Sequence, residues 1–527
     1  MVYFLLTLIP IGILTYLKSR KSLHMMQQNY YDESHRYLIW ITKHLKKVFF
    51  TPDICYALVC LGLLYNNVMV SMILFTLLSL LILFKYSKMK EQVKKPLVVT
   101  ARVKRMFVTE IIIYAIVTIS WLIDFNSKNI IHIYLYYGVM TYLNYFVMLF
   151  VNWVNQPVEK CVYLKFKRQA QNKLKSMKLP VVGITGSYGK TSSKNILNDV
   201  LNIKFNSFAT PKNFNTPYGL IRSINQYLDK FNDIFIAEMG AFKIGEIKTT
   251  CKLMKPKYGI LTTIGEAHLE SFGSRENIQK GKFELIESLP SDGIGILNGD
   301  DEWQKSYKIK NDCKIMWIGI DNKDVDLYAT NIKLSGTGTS FDCVFKGDKK
   351  KYPFHTKLLG RHNVYNILAA VLLGKELGMT VDELKRGVES VQTIEHRLEL
   401  KKSGNINIID DAYNSNPVGS KMALDVLNLM KGLKIVVTPG MIELGDKQYE
   451  ANYKFGEYIS EVADYVILVG EQQTKPIYDG LIKSKYDKKK ISVLNDVVEA
   501  FPLINRLAGK ETYVLLENDL PDLFNER

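Results

Sequence analysis

A short β-branched run, a glycine-rich turn and a helical segment follow one another between residues 179 and 201. The run Leu179–Thr185 predicts a buried parallel strand, and Ser192–Leu201 has the composition of a helix. A phosphate-binding loop requires this order, because glycines let the backbone approach an anion and amides at a helix N-terminus point toward it. The arrangement predicts an α/β domain with a parallel sheet.

The turn itself reads Gly-Ser-Tyr-Gly-Lys-Thr. Its lysine, Lys190, would meet phosphate charge, and the hydroxyl of Thr191 can ligate Mg²⁺. The spacing is GxxGKT, whereas the common GxxxxGK[ST] motif would need glycine at Ile184. Six residues alone can form an incidental turn, but the flanking strand and helix favour a nucleotide site. Its residues would be Gly186, Ser187, Tyr188, Gly189, Lys190 and Thr191.

Two later segments predict further strands of the same sheet. Asp233–Glu238 ends in a carboxylate, and Tyr258–Ile264 is followed closely by His268. Ligands of open α/β sheets sit at the carboxyl ends of the strands. Thr191, Glu238 and His268 are therefore expected to converge on one crevice as a magnesium set. A lone histidine is more often structural, and only the position of His268 after a strand argues for a ligand.

The excess of positive over negative charge is confined to the first third of the chain. Of the 527 residues, the first 179 carry 23 Lys and Arg against 7 Asp and Glu, whereas the rest carry 46 against 45. A basic face on the later part is not needed to explain the net charge of +17, so no nucleic-acid partner is predicted. The length predicts roughly two to four domains. Six cysteines without a close CxxC pair favour a reducing compartment.

Long apolar runs fall in the same first third and predict membrane-spanning helices. A span needs ~20 mostly apolar residues, and the loops alternate between basic and nearly neutral, as the positive-inside rule requires. Lys18–Lys47 carries seven Lys and Arg, and Lys85–Arg105 carries eight. We therefore expect a multi-pass protein of the cell membrane, with its catalytic domains cytoplasmic and membrane lipid as a partner. The runs are Val2–Leu17, Cys55–Tyr65, Val68–Phe84, Phe107–Ile123 and Ile130–Trp153.

Two features of this region stay open. Four spans instead of five would move the N-terminus to the cytoplasmic side and leave the later domains where they are. A buried soluble helical domain is the alternative to spans, but it would not need the alternation of loop charge. Residues 154–179 mix apolar and basic residues at helical spacing. They predict either a basic amphipathic helix at a bilayer surface or a solvated linker helix.

Nine ordered segments after residue 180 resemble the Mur ligase family. They are spread in order from about Val181 to Gly470, a stretch of more than half of the chain, and their order and spacing make a chance resemblance negligible. Members of this family activate a carboxylate with ATP as an acyl phosphate, which an amine then converts to an amide. The segments are GITGSYGKTSSKNIL, IAEMGA, AHLESFGS, KGKFELIESLP, NGDD, LGRHNVYNILAA, EHRLE, DDAYNSNP and GMIELG.

The resemblance implies a magnesium site made by Thr191, Glu238, His268 and Lys282. Lys282 matches the position where many family members carry a carbamoylated lysine. A carbamate turns a cationic side chain into an oxygen ligand for a hard metal ion. Lys280 is a competing alignment, and a solvated helix lysine is the alternative to any role for Lys282.

The resemblance also implies the nucleotide contacts. Gly186–Thr191 would hold the ATP phosphates, and Asn363 and Asn366 resemble asparagines on the adenine side. Arg397 and Asp411 match residues of the C-terminal domain that reach across to the nucleotide. The residues expected to be catalytic are Lys190, His268, Lys282 and Asp411.

The chain departs from the family in two places. The relatives begin with a soluble domain that grips a uridine nucleotide, where this chain has its apolar runs. Near the C-terminus they carry a Lys-Gly-Ser-Arg type segment after a strand, whereas here Thr512–Leu516 is followed by the acidic segment Glu517–Asp522. Both departures weaken the expectation of the family's usual substrates. The acidic segment either meets a cationic amine or is a solvated tail.

The expected architecture is α/β and has four parts. Transmembrane helices (1–153) and a basic linker helix (154–179) precede a central P-loop ATPase-like parallel-sheet domain (180–392) and a C-terminal Rossmann-like domain (393–527). The expected function is ATP- and Mg²⁺-dependent ligation of an amino acid or peptide amine to an envelope precursor with a free carboxylate, at the cytoplasmic membrane face. The alternatives are a membrane transporter or a scaffold with a regulatory nucleotide-binding domain.

Overall fold

The computed structural model describes residues 2–31, 36–56, 68–88, 96–123, 127–335, 338–412, 415–442 and 444–519. The chain divides into two compact units, residues 1–164 and residues 165–520. Most of the predicted run Cys55–Tyr65, and the acidic segment beyond Asp519, lie outside the described residues. The four domain boundaries expected from the sequence stay predictions.

The first unit is helical. A buried ion pair joins Lys18 to Asp53 in its interior. Glu110 is also buried, and its carboxylate accepts hydrogen bonds from Ser19 Oγ (2.6 Å) and Asn144 Nδ2 (3.3 Å). The described helices are α1 (Val2–Gln28), α2 (Leu38–Lys43), α3 (Leu45–Phe49), α4 (Val68–Lys88), α5 (Ala101–Leu122), α6 (Ser127–Tyr142) and α7 (Asn144–Met177), which continues into the second unit.

The predicted multi-pass membrane localisation is wrong. Within the described ranges, one helix, Ala101–Leu122, is long and apolar enough to cross a membrane. The segments His132–Tyr142 and Asn144–Met177 meet the same test only as a pair, and that pair is bent by 88°. The hydropathy of the sequence does not reveal this bend, and it does not reveal which polar groups the helices bury. The cytoplasmic placement of the catalytic domains and the lipid partner were inferred from the same five runs. Without a multi-pass membrane domain, neither inference is supported.

The second unit begins with a nine-stranded sheet in the order β2-β3-β1-β4-β5-β6-β7-β8-β9. Strands β1 to β7 pair in parallel, and β8 and β9 extend the sheet in antiparallel pairs. The α/β expectation for the central part is thereby confirmed. The strands are β1 (Val181–Thr185), β2 (Ser207–Ala209), β3 (Ile234–Glu238), β4 (Tyr258–Leu261), β5 (Ile294–Asn298), β6 (Lys314–Gly319), β7 (Leu327–Ser335), β8 (Gly338–Phe345) and β9 (Tyr352–Thr356).

Helices and short 3₁₀ turns connect these strands. Helix α14 is apolar on nearly every side and is buried in the main core of this sheet. The helices are α8 (Lys190–Leu201), α9 (Pro217–Gln226), α10 (Glu246–Met254), α11 (Leu269–Phe272), α12 (Arg275–Phe283), α13 (Glu302–Lys305), α14 (Arg361–Glu376) and α15 (Val381–Ser390), with a 3₁₀ turn at Ile286–Ser288.

A second sheet follows in the order β10-β11-β15-β12-β13-β14. Only β10 is antiparallel to its neighbour; the other pairs are parallel. Its elements are β10 (Glu399–Ser403), β11 (Ile406–Asp411), α16 (Pro417–Asn428), β12 (Leu433–Thr438), α17 (Gln448–Val462), β13 (Tyr465–Val469), α18 (Glu471–Lys483), β14 (Ile491–Leu494), α19 (Ala500–Leu507) and β15 (Thr512–Glu517), with 3₁₀ turns at Gly445–Lys447, Lys488–Lys490 and Val497–Glu499.

The register of the central strands brings the predicted site residues to one edge of the sheet. Every residue of β1 and of β3 is buried, as the continuous apolar composition of a central parallel strand requires. Ile184 is paired with Glu238, and Thr185 with Leu261. The glycine turn after β1, the carboxylate that ends β3 and the loop after β4 therefore leave the sheet side by side.

Removal of a core side chain from α14 should destabilise the central sheet. Leu368 is fully buried, so Leu368→Ala is expected to lower the free energy of unfolding by ~2–5 kcal/mol, because it leaves a cavity. Leu429→Ala, at a 45% exposed position, is the matched control and should change it by less than ~1 kcal/mol. Urea denaturation followed by circular dichroism measures both. Equal losses in the two variants would contradict this account of the core.

Candidate active site

The glycine turn has a backbone conformation that other residues resist. Gly186 has φ +151° and Gly189 has φ +78°, values that cost a residue with a Cβ. A Cβ at Gly186 would also collide with the hydroxyl of Thr262. Helix α8 begins at Lys190, the residue after Gly189, so the first backbone amides of this helix face the space above the turn.

Thr262 holds the turn in place from the neighbouring strand. Its hydroxyl lies 2.5 Å from the carbonyl oxygen of Tyr188 and 3.3 Å from that of Thr185. The Tyr188 ring in turn packs so closely on Gly265 that no Cβ fits there. Thr262 was not among the residues predicted from the sequence, although its position directly after β4 was a usable signal.

Lys190 folds back over the turn. Its Nζ donates to the carbonyl oxygens of Gly186 (2.6 Å) and Ser187 (3.1 Å). Burial lowers the pKa of Lys190 to about 8; the negative charge of Glu238 opposes this shift, and Arg397 adds to it. The amine is therefore placed among carbonyl oxygens that a phosphate group can replace.

Glu238 lies at the centre of the site and is 1% exposed. Its Oε1 accepts hydrogen bonds from Thr191 Oγ1 and from Asn215 Nδ2, both at 3.1 Å. Its Oε2 is 3.2 Å from Lys194 Nζ but has no hydrogen-bond partner among the described residues. The structure thus brings Thr191 and Glu238 together. It adds Lys194 and Asn215, of which Lys194 could have been found because it lies one turn after Lys190 on α8.

His268 follows β4 in a left-handed conformation, with φ +61°. Its ring packs edge-on against Phe242, with the centroids 4.5 Å apart. In the part of the chain that the structure describes, no group of three or more His, Cys, Asp or Glu residues is placed to hold a metal ion. A metal site here would therefore need oxygen ligands of other kinds, from Thr191 and from Lys282.

Lys282 lies on α12 and is 1% exposed, whereas Lys280 on the same helix is exposed. The Nζ of Lys282 is 3.4 Å from the carbonyl oxygen of Ala241 and 5.5 Å from the centre of the Phe272 ring. Burial, and then the charge of Lys190, lower the pKa of Lys282 well below its usual value. A buried, neutral amine is the form that reacts with carbon dioxide, so burial favours Lys282 over Lys280 for the predicted carbamate.

The two predicted adenine-side residues lie on the first turns of α14. Asn363 Nδ2 donates to the carbonyl oxygen of Leu359 (2.8 Å), and Asn366 Nδ2 lies 3.4 Å from Asn363 Oδ1. The side chain of Asn366 also lies against the backbone of Gly189. Both asparagines are buried beside the glycine turn.

Arg397 and Asp411 approach the same region from the second sheet. The charge of Arg397 acts on Lys190 and on His362, whose pKa burial lowers to about 4. Burial raises the pKa of Asp411 to about 6, against the charge of Arg397, and Leu398 N donates to Asp411 Oδ1 at 3.2 Å. His362 was not among the residues predicted from the sequence, although it is next to the predicted Asn363.

The glycine turn, the buried carboxylate behind it and the parallel sheet define a nucleotide-binding α/β protein. A model of the Mur ligase middle domain matches residues 184–374, and a model of the Mur ligase glutamate ligase domain matches residues 396–517. The chain is 30% identical over 342 residues to a UDP-N-acetylmuramoyl-tripeptide–D-alanyl-D-alanine ligase of Bacillus subtilis (strain 168), a match covering 64% of this chain and 72% of the relative. This chain belongs to the Mur ligase family.

Other relatives and solved structures agree. The ligase of the same name from Escherichia coli (strain K12) is 32% identical over 295 residues, which cover 55% of this chain and 65% of the relative. A crystal structure of MurF from Acinetobacter baumannii is similar with a TM-score of 0.62 and 26% identity, over 69% of this chain and 78% of that one. MurF ligase from Thermotoga maritima in complex with ADP gives 0.61 and 27%, over 69% and 82%.

The family establishes the class of reaction. Mur ligases form amide bonds at the expense of ATP, and this chain is such an ATP-dependent ligase. The resemblance to the family inferred from the nine sequence segments is confirmed. The roles of individual residues stay predictions.

Replacement of Lys190 should abolish tight nucleotide binding. Lys190→Ala removes a partly buried cation from the phosphate loop, and we expect ATP affinity to fall by about 10- to 100-fold, the size of a lost hydrogen bond to a charged group. Lys252→Ala, on the exposed face of α10, is the control and should bind ATP normally. Isothermal titration calorimetry with Mg²⁺ present measures both. Near wild-type affinity in Lys190→Ala would exclude this loop as the phosphate site.

Proposed function

We propose that the chain joins an amine to the carboxylate of a peptidoglycan precursor through an acyl-phosphate intermediate. A carboxylate oxygen of the acid attacks the γ-phosphorus of ATP, giving the acyl phosphate and ADP. The amine then attacks the acyl carbon and loses a proton as phosphate leaves. The observation that carries this proposal is the amine of Lys190, which lies among the carbonyl oxygens of the glycine turn. Two anionic reactants need such a site, because their charges repel.

The relatives suggest the substrates. Their names describe ligases that act on a UDP-N-acetylmuramoyl-tripeptide and D-alanyl-D-alanine. On this basis we propose that the acid is a carboxylate on the peptide of a muramoyl precursor. The amine is an amino acid or a short peptide.

The residues present fit a magnesium ion. Glu238 Oε2 lies 3.2 Å from Lys194 Nζ and has no hydrogen-bond partner in the described ranges, and Thr191 Oγ1 is 3.1 Å from the other oxygen of this carboxylate. Oxygen ligands of this kind suit Mg²⁺. Thr191 and Glu238 would hold the ion together with His268 and the carbamate of Lys282. When bound, the ion offsets the charge that develops on the phosphoryl group.

The carbamate forms on Lys282 from dissolved carbon dioxide. The neutral amine of Lys282 adds to carbon dioxide and loses a proton, which leaves an N-carboxylate. Ala241 and Phe272 surround this amine and exclude water. Formation of the carbamate removes the repulsion between Lys282 and Lys190, since one of the two groups becomes an anion.

The remaining predicted residues position the reactants. Lys190 exchanges the carbonyl oxygens of the turn for phosphate oxygens. Asn363 and Asn366, beside Gly189, lie on the adenine side of the turn. Arg397, which precedes β10 of the second sheet, adds positive charge to the site. Its side chain also helps to exclude water from the acyl phosphate.

The proposed function is tested by the dependence of ATP cleavage on both substrates. We expect the full-length chain to release ADP and phosphate only when a muramoyl peptide and an amine are both present. An acid labelled with ¹⁸O in its carboxylate should transfer one labelled oxygen to the released phosphate. ATP hydrolysis that ignores the acid, or phosphate without label, would contradict the acyl-phosphate route.

Replacement of Lys282 should give an inactive enzyme that small acids rescue. Lys282→Ala removes the carbamate, and we expect ligation to fall by about 10²-fold or more. Acetate or formate should restore part of the rate by supplying oxygen ligands. Lys280→Ala, two residues away and exposed, should retain the wild-type rate. Steady-state ADP release measures all three, and intact mass of active enzyme without the added carbon dioxide at Lys282 would contradict the carbamate.

A further inference from the structure

Lys194 is a buried cation to which the proposed reaction gives no role. Its side chain is 1% exposed and is among the largest fully buried side chains of the described residues. It lies on α8, one turn after Lys190. An ammonium group taken out of water is stable only next to groups that offset its charge. The partners of Lys194 therefore indicate what this lysine does.

Helix α8 contacts both oxygens of the Glu238 carboxylate. Thr191 Oγ1 donates to Glu238 Oε1 at 3.1 Å, and Lys194 Nζ lies 3.2 Å from Glu238 Oε2. Residues three positions apart lie on the same face of a helix, so the hydroxyl and the ammonium approach the carboxylate side by side. The carboxylate oxygen that is left for a metal ion is thus the one that faces Lys194.

The loop after β2 fixes the ammonium group in this place. Lys194 Nζ donates to the carbonyl oxygen of Lys212 at 2.5 Å. Lys212 has φ +49°, a left-handed conformation that a residue with a Cβ keeps only where its surroundings impose it. Asn215, in the same loop, donates to Glu238 Oε1 at 3.1 Å. The loop therefore holds both members of the Lys194–Glu238 pair.

Charge at the proposed metal site balances without a metal ion. The anions are Glu238 and the proposed carbamate of Lys282. The cations are Lys190, on which the charge of Glu238 acts, and Lys194. Two negative and two positive groups leave no net negative charge to attract a divalent cation. Without Lys194 the same set would carry one net negative charge.

Two further acids act on Lys282 but do not change this balance. Burial lowers the pKa of Lys282, and the charges of Glu246 and Glu284 oppose that shift. Both carboxylates accept hydrogen bonds from backbone amides around the N-terminus of α10, at 2.6–2.8 Å. Their charge is offset by this helix N-terminus.

We propose that Lys194 is a positioning residue that keeps Mg²⁺ out of the site until a nucleotide is bound. This inference rests on the magnesium site of the proposed function. The phosphates of ATP bring several negative charges, which outweigh the two ammonium groups. A carboxylate has room for more than one partner on its two oxygens, so Glu238 can hold the ion and keep Lys194. Phosphate oxygens then supply further ligands, as is usual for Mg²⁺.

Binding of Mn²⁺, as a probe for Mg²⁺, tests this proposal on the full-length chain by electron paramagnetic resonance. For the wild-type chain we expect affinity for Mn²⁺ to be at least about tenfold weaker without nucleotide than with a saturating non-hydrolysable ATP analogue, the usual size of coupling between two ligands. Lys194→Met removes the charge, and nucleotide-free affinity should rise by about tenfold. Lys194→Gln keeps a donor for the Lys212 carbonyl and should show the same gain. Lys252→Met, at an exposed position, should match the wild type.

Three results would overturn the proposal or locate its failure. A wild-type chain that binds Mn²⁺ equally tightly with and without nucleotide would overturn it without any variant. Unchanged or weaker nucleotide-free binding in both Lys194 variants would show that this lysine only braces Glu238. Glu238→Gln separates the two levels: Mn²⁺ binding that survives in this variant removes the proposed metal site itself. Loss of binding there, without a gain in the Lys194 variants, overturns the role of Lys194 alone.

Discussion

Lys190, which is partly buried, and Lys282, which is buried, lie close enough at one edge of the central sheet for the charge of Lys190 to act on Lys282. Burial lowers the pKa of both amines, and the charge of Lys190 lowers the pKa of Lys282 further, because ammonium groups in a dry site need anions to balance them. Glu238 compensates part of this charge from behind the glycine turn, where Thr191, Asn215 and Lys194 hold its carboxylate. The amine of Lys190 and the backbone amides of the glycine turn are therefore placed to bind an anionic ligand.

Short sequence patterns predicted the strand, the glycine turn and the helix that surround this site. The strand, the turn and the helix around Gly186 are adjacent in sequence, and the polar residue that ends β3 is the one that lies behind the turn. Thr262 and Asn215 were not predicted, because their importance comes from sheet register and loop packing rather than from a motif. The sequence favoured Lys282 over the competing Lys280, and the burial of one helix face, which the sequence does not contain, favours the same residue.

The first third of the chain shows the limit of the same approach. Counting apolar residues along the chain treats every run as uniformly apolar. The helices formed there place Lys18, Asp53 and Glu110 inside, and the last run breaks into two helices at a sharp bend. Whether the apolar runs form membrane-spanning helices depends on how the helices pack, and a count of apolar residues along the sequence does not contain this information.

The ends of the nine-stranded sheet also bear on how the chain avoids self-association. A free edge strand is a template on which a second chain can add. Here one edge, β2, has only three residues, and the other, β9, contains Pro353, which has no amide hydrogen to donate. Three lysines, Lys349–Lys351, come directly before it. A long sheet is thus combined with two edges that offer little to a neighbouring molecule during folding.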